Sequence, residues 1–287
     1  MKKNLGTKRL HELLDRDEIL VAPSCYDPLS ASLIEQAGFD AVFVSGASLT
    51  NAYMGISDIG VFSYGEYRDV IRNILLAVSI PVMVDVDTGY GGILPIKRMV
   101  EEYEAMGVAG IQMEDQTFPK RCAYFGTTVV SIEDMCRRIR AAIAARNDPN
   151  FLIIARTDCS SSLGFDEALR RAKAYIDAGA DMIFTSAIPT REDVERLAKL
   201  DIPMSVSVVE GTVTEGYTPA MLQKMGFKLV KYPQTLIRAT IKAQWDVLNM
   251  LKKTGDARDY ADMLCTQKER AELTKLSEYV SFEKTIG

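Results

Sequence analysis

One pattern of apolar and polar positions recurs along the chain: an amphipathic stretch, then a glycine, then a short apolar run. Its copies cover 35–45, 104–114, 177–186 and 223–233. The glycine suits the left-handed position that ends a helix, because it has no Cβ. The apolar run after it is typical of a strand that is covered on both faces. Each copy therefore predicts the end of a helix and the strand that follows.

Other turn residues introduce further apolar runs. These runs are 18–24, 80–87, 150–158 and 202–208. In two of them proline stands at the first strand position, where its missing N–H costs little. Helical patterns lie between the runs, among them 95–106, 131–146, 166–178 and 190–199. The chain thus predicts eight strands, each followed by a helix or a loop.

Eight alternating units favour a closed parallel (β/α)8 barrel of the TIM type over an open doubly wound sheet. An open sheet more often carries a glycine-rich dinucleotide loop after its first strand, but residues 22–31 contain no GxGxxG motif. The tail 239–287 has a helical pattern that includes Trp245 and Leu248. We expect one α/β domain over 1–287, with the tail as a C-terminal helical extension for oligomerisation.

The composition of the chain argues against nucleic acid and membranes as binding partners. The chain has 287 residues, is 47% hydrophobic and carries a formal net charge of -5. These values are typical of a globular protein, and no basic excess exists to neutralise nucleic-acid phosphates. No apolar run approaches the ~18–20 residues of a membrane span, and the basic N-terminus lacks the apolar segment of a signal peptide. We expect a cytoplasmic protein with no nucleic-acid and no membrane partner.

The histidine and cysteine content narrows the chemistry. His11 is the single histidine and lies in a polar N-terminal stretch. That argues against a Ser-His-Asp triad, a Cys-His pair and a zinc hydrolase site. The five cysteines are widely spaced and form no CxxC pair, which predicts reduced thiols. Carboxylate, lysine, arginine, tyrosine and thiol chemistry remains.

Polar residues stand at the predicted carboxyl ends of several strands, where barrel enzymes carry their sites. Asp85 and Asp87 follow the third apolar run, and Glu114 ends the fourth. Residues two apart in a strand point the same way, so we expect Asp85 and Asp87 to project together. With Glu114 they form a set of hard oxygen ligands that suits Mg2+, with Mn2+ as the alternative. The structural alternative is that the aspartates cap the next loop or pair with Arg156.

Two cationic positions stand near this acidic set. Arg156 ends the fifth apolar run, where a guanidinium can hold a substrate carboxylate or neutralise the acids. The loop 116–128 contains Lys120, Arg121 and Cys122. Cationic neighbours favour the thiolate form of a cysteine, so Cys122 is the thiol with a predicted reactive setting. The length of the loop also suits a lid.

The order and spacing of four motifs resemble the isocitrate lyase and phosphoenolpyruvate mutase superfamily. The motifs are VSGASLTNAYMGISDIG at 44–60, DVDTGYGG at 85–92, GIQMEDQTFPKRC at 110–122 and IIARTD at 153–158. EDQ-x-x-x-KRC is most similar to the 2-methylisocitrate lyase and 2,3-dimethylmalate lyase branch. The resemblance covers about 10–252 and implies a Mg2+-dependent enzyme that acts on a small carboxylic-acid substrate through an enolate.

The resemblance also implies a role for each matching residue. The metal residues would be Asp85, Asp87, Asp58 and Glu114. The substrate-binding residues would be Ser45, Gly46, Ala47, Asp85, Arg156 and Arg238. The catalytic residues would be Cys122, Lys120 and Arg156, with Cys122 as the acid that protonates the released fragment. The family barrel exchanges its last helices between subunits, which implies a homotetramer built as a dimer of dimers.

The chain departs from the lyases where the second half of a substrate would lie. Lyases of this branch have Gly-His, Glu, Asn, Tyr and His where this chain has Ala123-Tyr124, Ser186, Ser207, Phe43 and Gln112. The first three changes predict a smaller and less charged pocket for the second fragment. The groups that would hold the enolate end are retained.

These observations predict a Mg2+-dependent carbon–carbon lyase. It would cleave a small malate-type 2-hydroxy di- or tricarboxylate to a 2-oxo acid such as pyruvate and a second carboxylic acid, through an enolate-like intermediate. The base would be a metal-linked hydroxide or Tyr90. Two alternatives stay open: an oxaloacetate decarboxylase or phosphonopyruvate hydrolase or mutase on the same site, and a non-catalytic binding homologue.

Overall fold

The computed structural model describes residues 6–122 and 126–287. Its strands form one closed barrel in chain order, each parallel to the next, and the eighth strand pairs with the first. They are β1 (Leu20–Cys25), β2 (Val42–Val44), β3 (Val82–Asp85), β4 (Gly110–Glu114), β5 (Leu152–Thr157), β6 (Met182–Thr185), β7 (Met204–Ser207) and β8 (Leu229–Tyr232). The predicted (β/α)8 barrel is confirmed, and each predicted apolar run overlaps one observed strand, with β1 extending one residue beyond its run.

Helices surround the barrel. They are α1 (Gly6–Leu14), α2 (Pro28–Gln36), α3 (Gly46–Met54), α4 (Tyr64–Ala77), α5 (Ile93–Met106), α6 (Ile132–Ala145), α7 (Ser160–Leu163), α8 (Phe165–Asp177), α9 (Arg191–Ala198) and α10 (Pro219–Lys224). The four helical patterns named from the sequence coincide with α5, α6, α8 and α9 to within two residues at each end.

The glycine signal of the recurring pattern is confirmed at the end of α5. Gly107 has φ 109°, and its N–H donates to the carbonyl of Tyr103 at 3.0 Å. An L-residue with a Cβ is strained at this φ, whereas glycine is not. The turn leads through Val108 and Ala109 directly into β4, so the helix end sets where the strand begins.

The barrel is closed at its amino-terminal end by a plug of apolar side chains. Leu10 and Leu13 of α1 are fully buried and join the lumen residues Leu20, Leu152 and Leu229 in one core cluster. Their burial removes apolar surface from water, which is the main stabilising contribution to such a core. The opposite end of the barrel is left as the entrance to the lumen.

Residues Leu236–Gly287 form a second compact unit, separate from the unit that ends at Thr235. It contains most of α11 (Thr235–Thr254), a 3-10 segment (Ala257–Met263), α12 (Gln267–Leu273) and α13 (Leu276–Ile286). The helical nature of the tail is confirmed, while its exchange between subunits and its use in oligomerisation stay predictions. Within the described ranges, no helix is both long and apolar enough to pass through a bilayer.

Candidate active site

The carboxyl ends of β3, β4 and β5 bring acidic and basic side chains together. Arg156 on β5 has Nη1 3.2 Å from Oδ2 of Asp85, which ends β3, and Nη2 3.2 Å from Oε2 of Glu114, which ends β4. One guanidinium therefore bridges carboxylates from both preceding strands. The strand-end residues singled out in the sequence lie at one edge of the barrel, as parallel strands require.

Asp87 joins this group through a turn, not through the strand pleat. The strand β3 ends at Asp85, and Asp87 lies beyond it with a left-handed backbone, φ 49°. Its N–H donates to Oδ1 of Asp85 at 3.3 Å. The sequence predicts that strand alternation makes the two aspartates project together. That reason is wrong, because Asp87 lies beyond the end of the strand, where side chains no longer alternate.

Lys120 lies between two carboxylates at the edge of the cluster. Its Nζ is 2.7 Å from Oδ1 of Asp87 and donates to Oδ2 of Asp58 at 2.5 Å, and its side chain is 2% exposed. Burial works against the charge, but Asp87, Glu114 and Asp58 outweigh it and raise the pKa of Lys120 well above 10.5. Lys120 is therefore a fixed cation that anchors the loop after β4 to the acidic cluster.

The same loop is held at its base by Gln116. The Gln116 side chain donates from Nε2 to the carbonyl of Arg121 and accepts the Arg121 N–H at Oε1, both at 2.8 Å. A backbone bridge between Gln116 and Val129 closes the loop. Cys122 follows the anchored segment and lines the cavity described below. The predicted lid residues Ala123-Tyr124 lie outside the described residues.

The amino terminus of α3 opens onto the same edge of the barrel. Ser45 is its N-cap residue and accepts the Ser48 N–H at 3.4 Å. A Cβ at Gly46 would lie 2.9 Å from Oη of Tyr67 and 3.2 Å from Oδ1 of Asp87, so close packing requires glycine here. Free N–H groups and the positive end of the helix dipole make such a terminus suitable for a carboxylate.

The acidic cluster carries more negative charge than its cations offset. Five buried carboxylates face two cationic side chains, Lys120 and Arg156; they are Asp58, Asp85, Asp87, Glu114 and Asp158. Burial raises the pKa of Asp85 to about 6. Burial also raises the pKa of Asp58, and that of Glu114 well above 4.5. The cluster is therefore a place where a further cation would be stabilising.

Asp158 orients Arg156, a relationship that the sequence reading missed. Arg156 donates from Nε to Oδ1 of Asp158 at 2.7 Å and from Nη2 to Oδ2 at 2.8 Å. Burial opposes its ionisation, but Arg156 and hydrogen bonds that include Ser186 hold the pKa of Asp158 below its usual value. Protein carboxylates therefore bind two edges of the guanidinium group. The two-residue spacing in RTD was the available signal, although Asp158 lies one residue beyond Thr157, the last residue of β5.

The donor set fits a magnesium ion. Among the described residues, Oε1 of Glu114 is buried with neither a hydrogen bond nor an ion pair, while Oε2 of Glu114 and Oδ1 of Asp87 meet only the cations of Arg156 and Lys120. Across residues 6–122 and 126–287, no group of three or more Asp, Glu, His or Cys side chains is arranged to hold a metal ion. Mg2+ does not need one, because it is commonly held by one or two carboxylates, with water and substrate completing the octahedron. Asp85 and Asp87 stay the predicted metal residues.

A cavity of about 90 Å³ lies over these groups. Its lining includes the predicted residues Phe43, Ser45, Ala47, Asp58, Asp85, Gln112, Cys122, Arg156, Ser186 and Ser207. It also includes Thr212, Thr214 and Gln234, from the loops after β7 and β8, which no sequence signal distinguished. The residues that the sequence assigned to the two halves of a substrate therefore share one small cavity.

Three further residues have different settings. Asp115 accepts hydrogen bonds from Arg171 at 2.9 Å and Tyr175 at 2.7 Å, behind the strand, which is a structural ion pair. Burial raises the pKa of Tyr90 well above 10, so its phenol keeps its proton and is unsuited to act as a base. Arg238 belongs to the second unit, and its assignment stays a prediction.

Comparison with known proteins adds the family context. A model of phosphoenolpyruvate phosphomutase matches residues 10–252. Probable 2-methylisocitrate lyase 2 of Corynebacterium glutamicum is 39% identical over 281 residues, which are 97% of this chain and 91% of that relative. 2,3-Dimethylmalate lyase of Eubacterium barkeri is 36% identical over 271 residues, 93% of each chain.

A solved structure agrees with the sequence relatives. A phosphonopyruvate hydrolase complex with oxalate and Mg2+ superposes with a TM-score of 0.89 at 32% identity, covering 97% of this chain and 98% of that one. Together the comparisons confirm the resemblance drawn from the four motifs. The names of the two sequence relatives also confirm the predicted enzyme class, carbon–carbon lyases.

Proposed function

Because the chain belongs to the phosphoenolpyruvate phosphomutase family, we propose that it is a Mg2+-dependent lyase that cleaves a small malate-type 2-hydroxy acid. The products would be a 2-oxo acid such as pyruvate and a second carboxylic acid. One observation carries the proposal: Cys122 lines the same cavity as Ser45, Asp85 and Arg156. A thiol proton donor therefore shares a small space with the groups that suit the carboxylate and hydroxyl end of such an acid.

The reacting end of the substrate would lie against the start of α3 and the acidic cluster. The Ser45 hydroxyl and the first N–H groups of α3 are suited to the C1 carboxylate. Arg156, held by Asp158, supplies positive charge beside Asp85. Mg2+ bound by Asp85 and Asp87, with Asp58 and Glu114 acting through water, would polarise the C1 and C2 oxygens.

Cleavage needs a proton acceptor at the C2 hydroxyl and a proton donor at the departing carbon. We assign the acceptor role to Asp58, which lines the cavity and whose pKa is raised by burial. Once the hydroxyl proton moves to Asp58, the C2–C3 bond breaks and C2 becomes the carbonyl carbon of the 2-oxo acid. The bonding electrons leave with the C3 fragment as an enolate, which takes the Sγ proton of Cys122. Lys120, hydrogen-bonded to Asp58, balances charge during the transfer.

Two side chains in the part of the cavity that would hold the second fragment are small and uncharged. Ser186 and Ser207 line the cavity, and the Ser186 hydroxyl is committed to Asp158. Short hydroxyls leave little positive charge to hold a third carboxylate. These features support a malate-type acid of the size handled by the 2,3-dimethylmalate lyase relative over a tricarboxylate.

A coupled assay for release of the 2-oxo acid, which is pyruvate or, from isocitrate, glyoxylate, tests the proposal. The substrates are 2-methylisocitrate, 2,3-dimethylmalate, citramalate, isocitrate, oxaloacetate and phosphonopyruvate, each with Mg2+ and with an EDTA control. We expect Mg2+-dependent pyruvate from 2,3-dimethylmalate or citramalate. A protein that releases pyruvate only from oxaloacetate or phosphonopyruvate would be a decarboxylase or hydrolase, and the lyase proposal would be wrong. Mg2+-dependent oxalate binding with no turnover of any of the six would indicate a non-catalytic homologue.

A further inference from the structure

A buried lysine lies on the barrel axis beneath the cavity. Lys231 on β8 is 1% exposed, and its Nζ donates a hydrogen bond to Oε1 of Gln112 on β4, across the barrel. Phe43 on β2 and Phe184 on β6 complete a layer of inward side chains from alternate strands, as in TIM barrels generally. Phe43, Gln112 and Phe184 line the cavity. The layer is therefore the cavity floor, with Lys231 behind it.

Lys231 is surrounded by ring faces and an amide, not by acids. Its Nζ lies 3.9 Å from the ring centroid of Phe184 and 4.9 Å from that of Phe43. Ring faces attract an ammonium group and so stabilise a desolvated cation. Among residues 6–122 and 126–287, no carboxylate forms an ion pair with Lys231. Burial lowers the pKa of Lys231 well below 10.5, while Asp85 opposes that effect. An anion arriving at the floor would stabilise the charged form.

The lysine decides which way the Gln112 amide points. Nζ donates to Oε1 of Gln112, and the ring faces attract its remaining N–H groups, so the amide presents its oxygen to the lysine. The opposite orientation would set the NH2 group against the NH3+ group, with no hydrogen bond and with repulsion between them. Gln112 Nε2 is thereby turned away from Lys231. It makes no hydrogen bond to any described residue, and Gln112 lines the cavity.

We propose that Gln112 Nε2, oriented by Lys231, binds a carboxylate on the part of the substrate that leaves as the second fragment. The substrates would then be malate-type dicarboxylates, and analogues with a methyl group in place of that carboxylate would bind poorly. Lys231 is the positioning residue in this arrangement, and Gln112 makes the contact. The inference rests on the proposed function only in taking the cavity as the substrate site.

The cavity floor should bind a dicarboxylate more tightly than the analogue with a methyl group in place of the second carboxylate. A carboxylate would accept the Nε2 hydrogen bond, and an anion at this place would favour the charged form of Lys231 beside the amide oxygen. A methyl group in the same place would leave Nε2 desolvated without a partner, which is unfavourable. The two phenyl rings cannot supply the missing acceptor. One floor therefore stabilises the dicarboxylate and penalises its monocarboxylate analogue.

Binding of unreactive or slowly reacting ligands tests this without requiring turnover. Isothermal calorimetry in Mg2+ compares malate with 2-hydroxybutyrate, which has a methyl group in place of the second carboxylate. We expect the wild-type protein to prefer malate by at least about tenfold. Lys231→Met and Gln112→Met should each reduce this preference to about threefold or less. Oxalate, which has no group that reaches the floor, should bind all three proteins with similar affinity.

An isosteric variant gives a sharper outcome. Gln112→Glu keeps the side-chain size and pairs with Lys231, but it replaces the donor by a carboxylate oxygen, so malate should bind more weakly than 2-hydroxybutyrate. This variant also decides the question if Lys231→Met does not fold. The matched control is Lys228→Met, which removes the same charge at an exposed position before β8 and should leave the preference unchanged.

The results separate this inference from the proposed function. A wild-type protein without preference for malate overturns the inference, as does a preference that survives both Lys231→Met and Gln112→Glu. Preference for malate together with no pyruvate from any substrate of the panel would leave the inference standing and the lyase proposal wrong. Pyruvate release without a preference for malate would support the lyase proposal and overturn the inference.

Discussion

The ammonium group of Lys120 lies 2.7 Å from Oδ1 of Asp87 and hydrogen-bonds to Asp58. The contact joins the loop after β4 to the turn after β3, because Asp87 sits in that turn. Breaking a buried ion pair from one side costs about 3–5 kcal/mol, since the remaining charge is left unpaired. The pair therefore holds Cys122, two residues further along the loop, at the cavity wall.

Lys120→Met should lower both the stability of the protein and its turnover. It removes the cation that balances Asp58 and Asp87, so the loop loses its anchor and the proton acceptor loses its partner. We expect kcat for pyruvate release to fall by about a hundredfold or more, measured in the coupled assay at saturating Mg2+. Lys173→Met, at an exposed lysine on α8, is the matched control. A Lys120→Met enzyme within about threefold of wild type would show that the anchor is unnecessary.

Cys122→Ser should separate the proton-donation step from substrate binding. A hydroxyl is a much weaker acid than a thiol, so protonation of the departing fragment slows while the groups that hold the C1 end are untouched. We expect kcat to fall by about a hundredfold or more and the oxalate dissociation constant to stay unchanged. Cys265→Ser, at an exposed cysteine, should match wild type. Full turnover by Cys122→Ser would be inconsistent with the lyase role of this residue.

Gly46→Ala should disturb the carboxylate end by steric conflict. The added Cβ would lie 2.9 Å from Oη of Tyr67 and 3.2 Å from Oδ1 of Asp87, so one of these groups must move. We expect oxalate affinity to fall by at least about tenfold. Tyr67→Phe in the same chain removes the nearer atom and should restore part of the affinity. Gly65→Ala on α4 is the control, because nothing lies within 4 Å of its Cβ. Equal loss with and without Tyr67→Phe would contradict the steric explanation.

Magnesium should stabilise the protein more at neutral pH than at acid pH. The pKa of Asp85 is raised from 3.8 to about 6, so the folded state binds this proton more tightly than the unfolded state. Its contribution to the free energy of unfolding is present at low pH and is lost as the pH rises through about 6. Mg2+ offsets this loss because it favours the ionised carboxylate.

Thermal unfolding with Mg2+ and with EDTA measures the effect. We expect the increase in Tm caused by Mg2+ to be larger near pH 7.5 than near pH 5. Asp85→Asn cannot ionise at this position, so its Tm difference should be smaller and should depend less on pH. An increase that is identical at both pH values in wild type and Asp85→Asn would mean that this carboxylate does not hold the ion.

Site residues could be predicted where the signal was local in the sequence, whereas contacts between residues far apart in the sequence could not. Glu114 and Arg156 could be found because they end strands, and parallel strands of a barrel all end at one edge. The Asp58–Lys120 contact had no local signal, because 62 residues separate its partners. The sequence resemblance listed both residues, but not their contact with each other. Asp158 was visible as a charge at a strand end, yet its two-point contact with Arg156 appears only in the folded barrel.

The alternation of helices and buried strands, the glycine turns between them and the barrel that closes them were determined by the sequence itself, because each depends on residues a few positions apart. The folded barrel alone decided the hydrogen bond of Lys231 to Gln112, which joins β8 to β4 across 119 residues. In the sequence, this lysine is a charged exception in the apolar run of β8. In the folded barrel it orients the amide at the cavity floor, because closure of the barrel brings opposite strands within reach of one side chain.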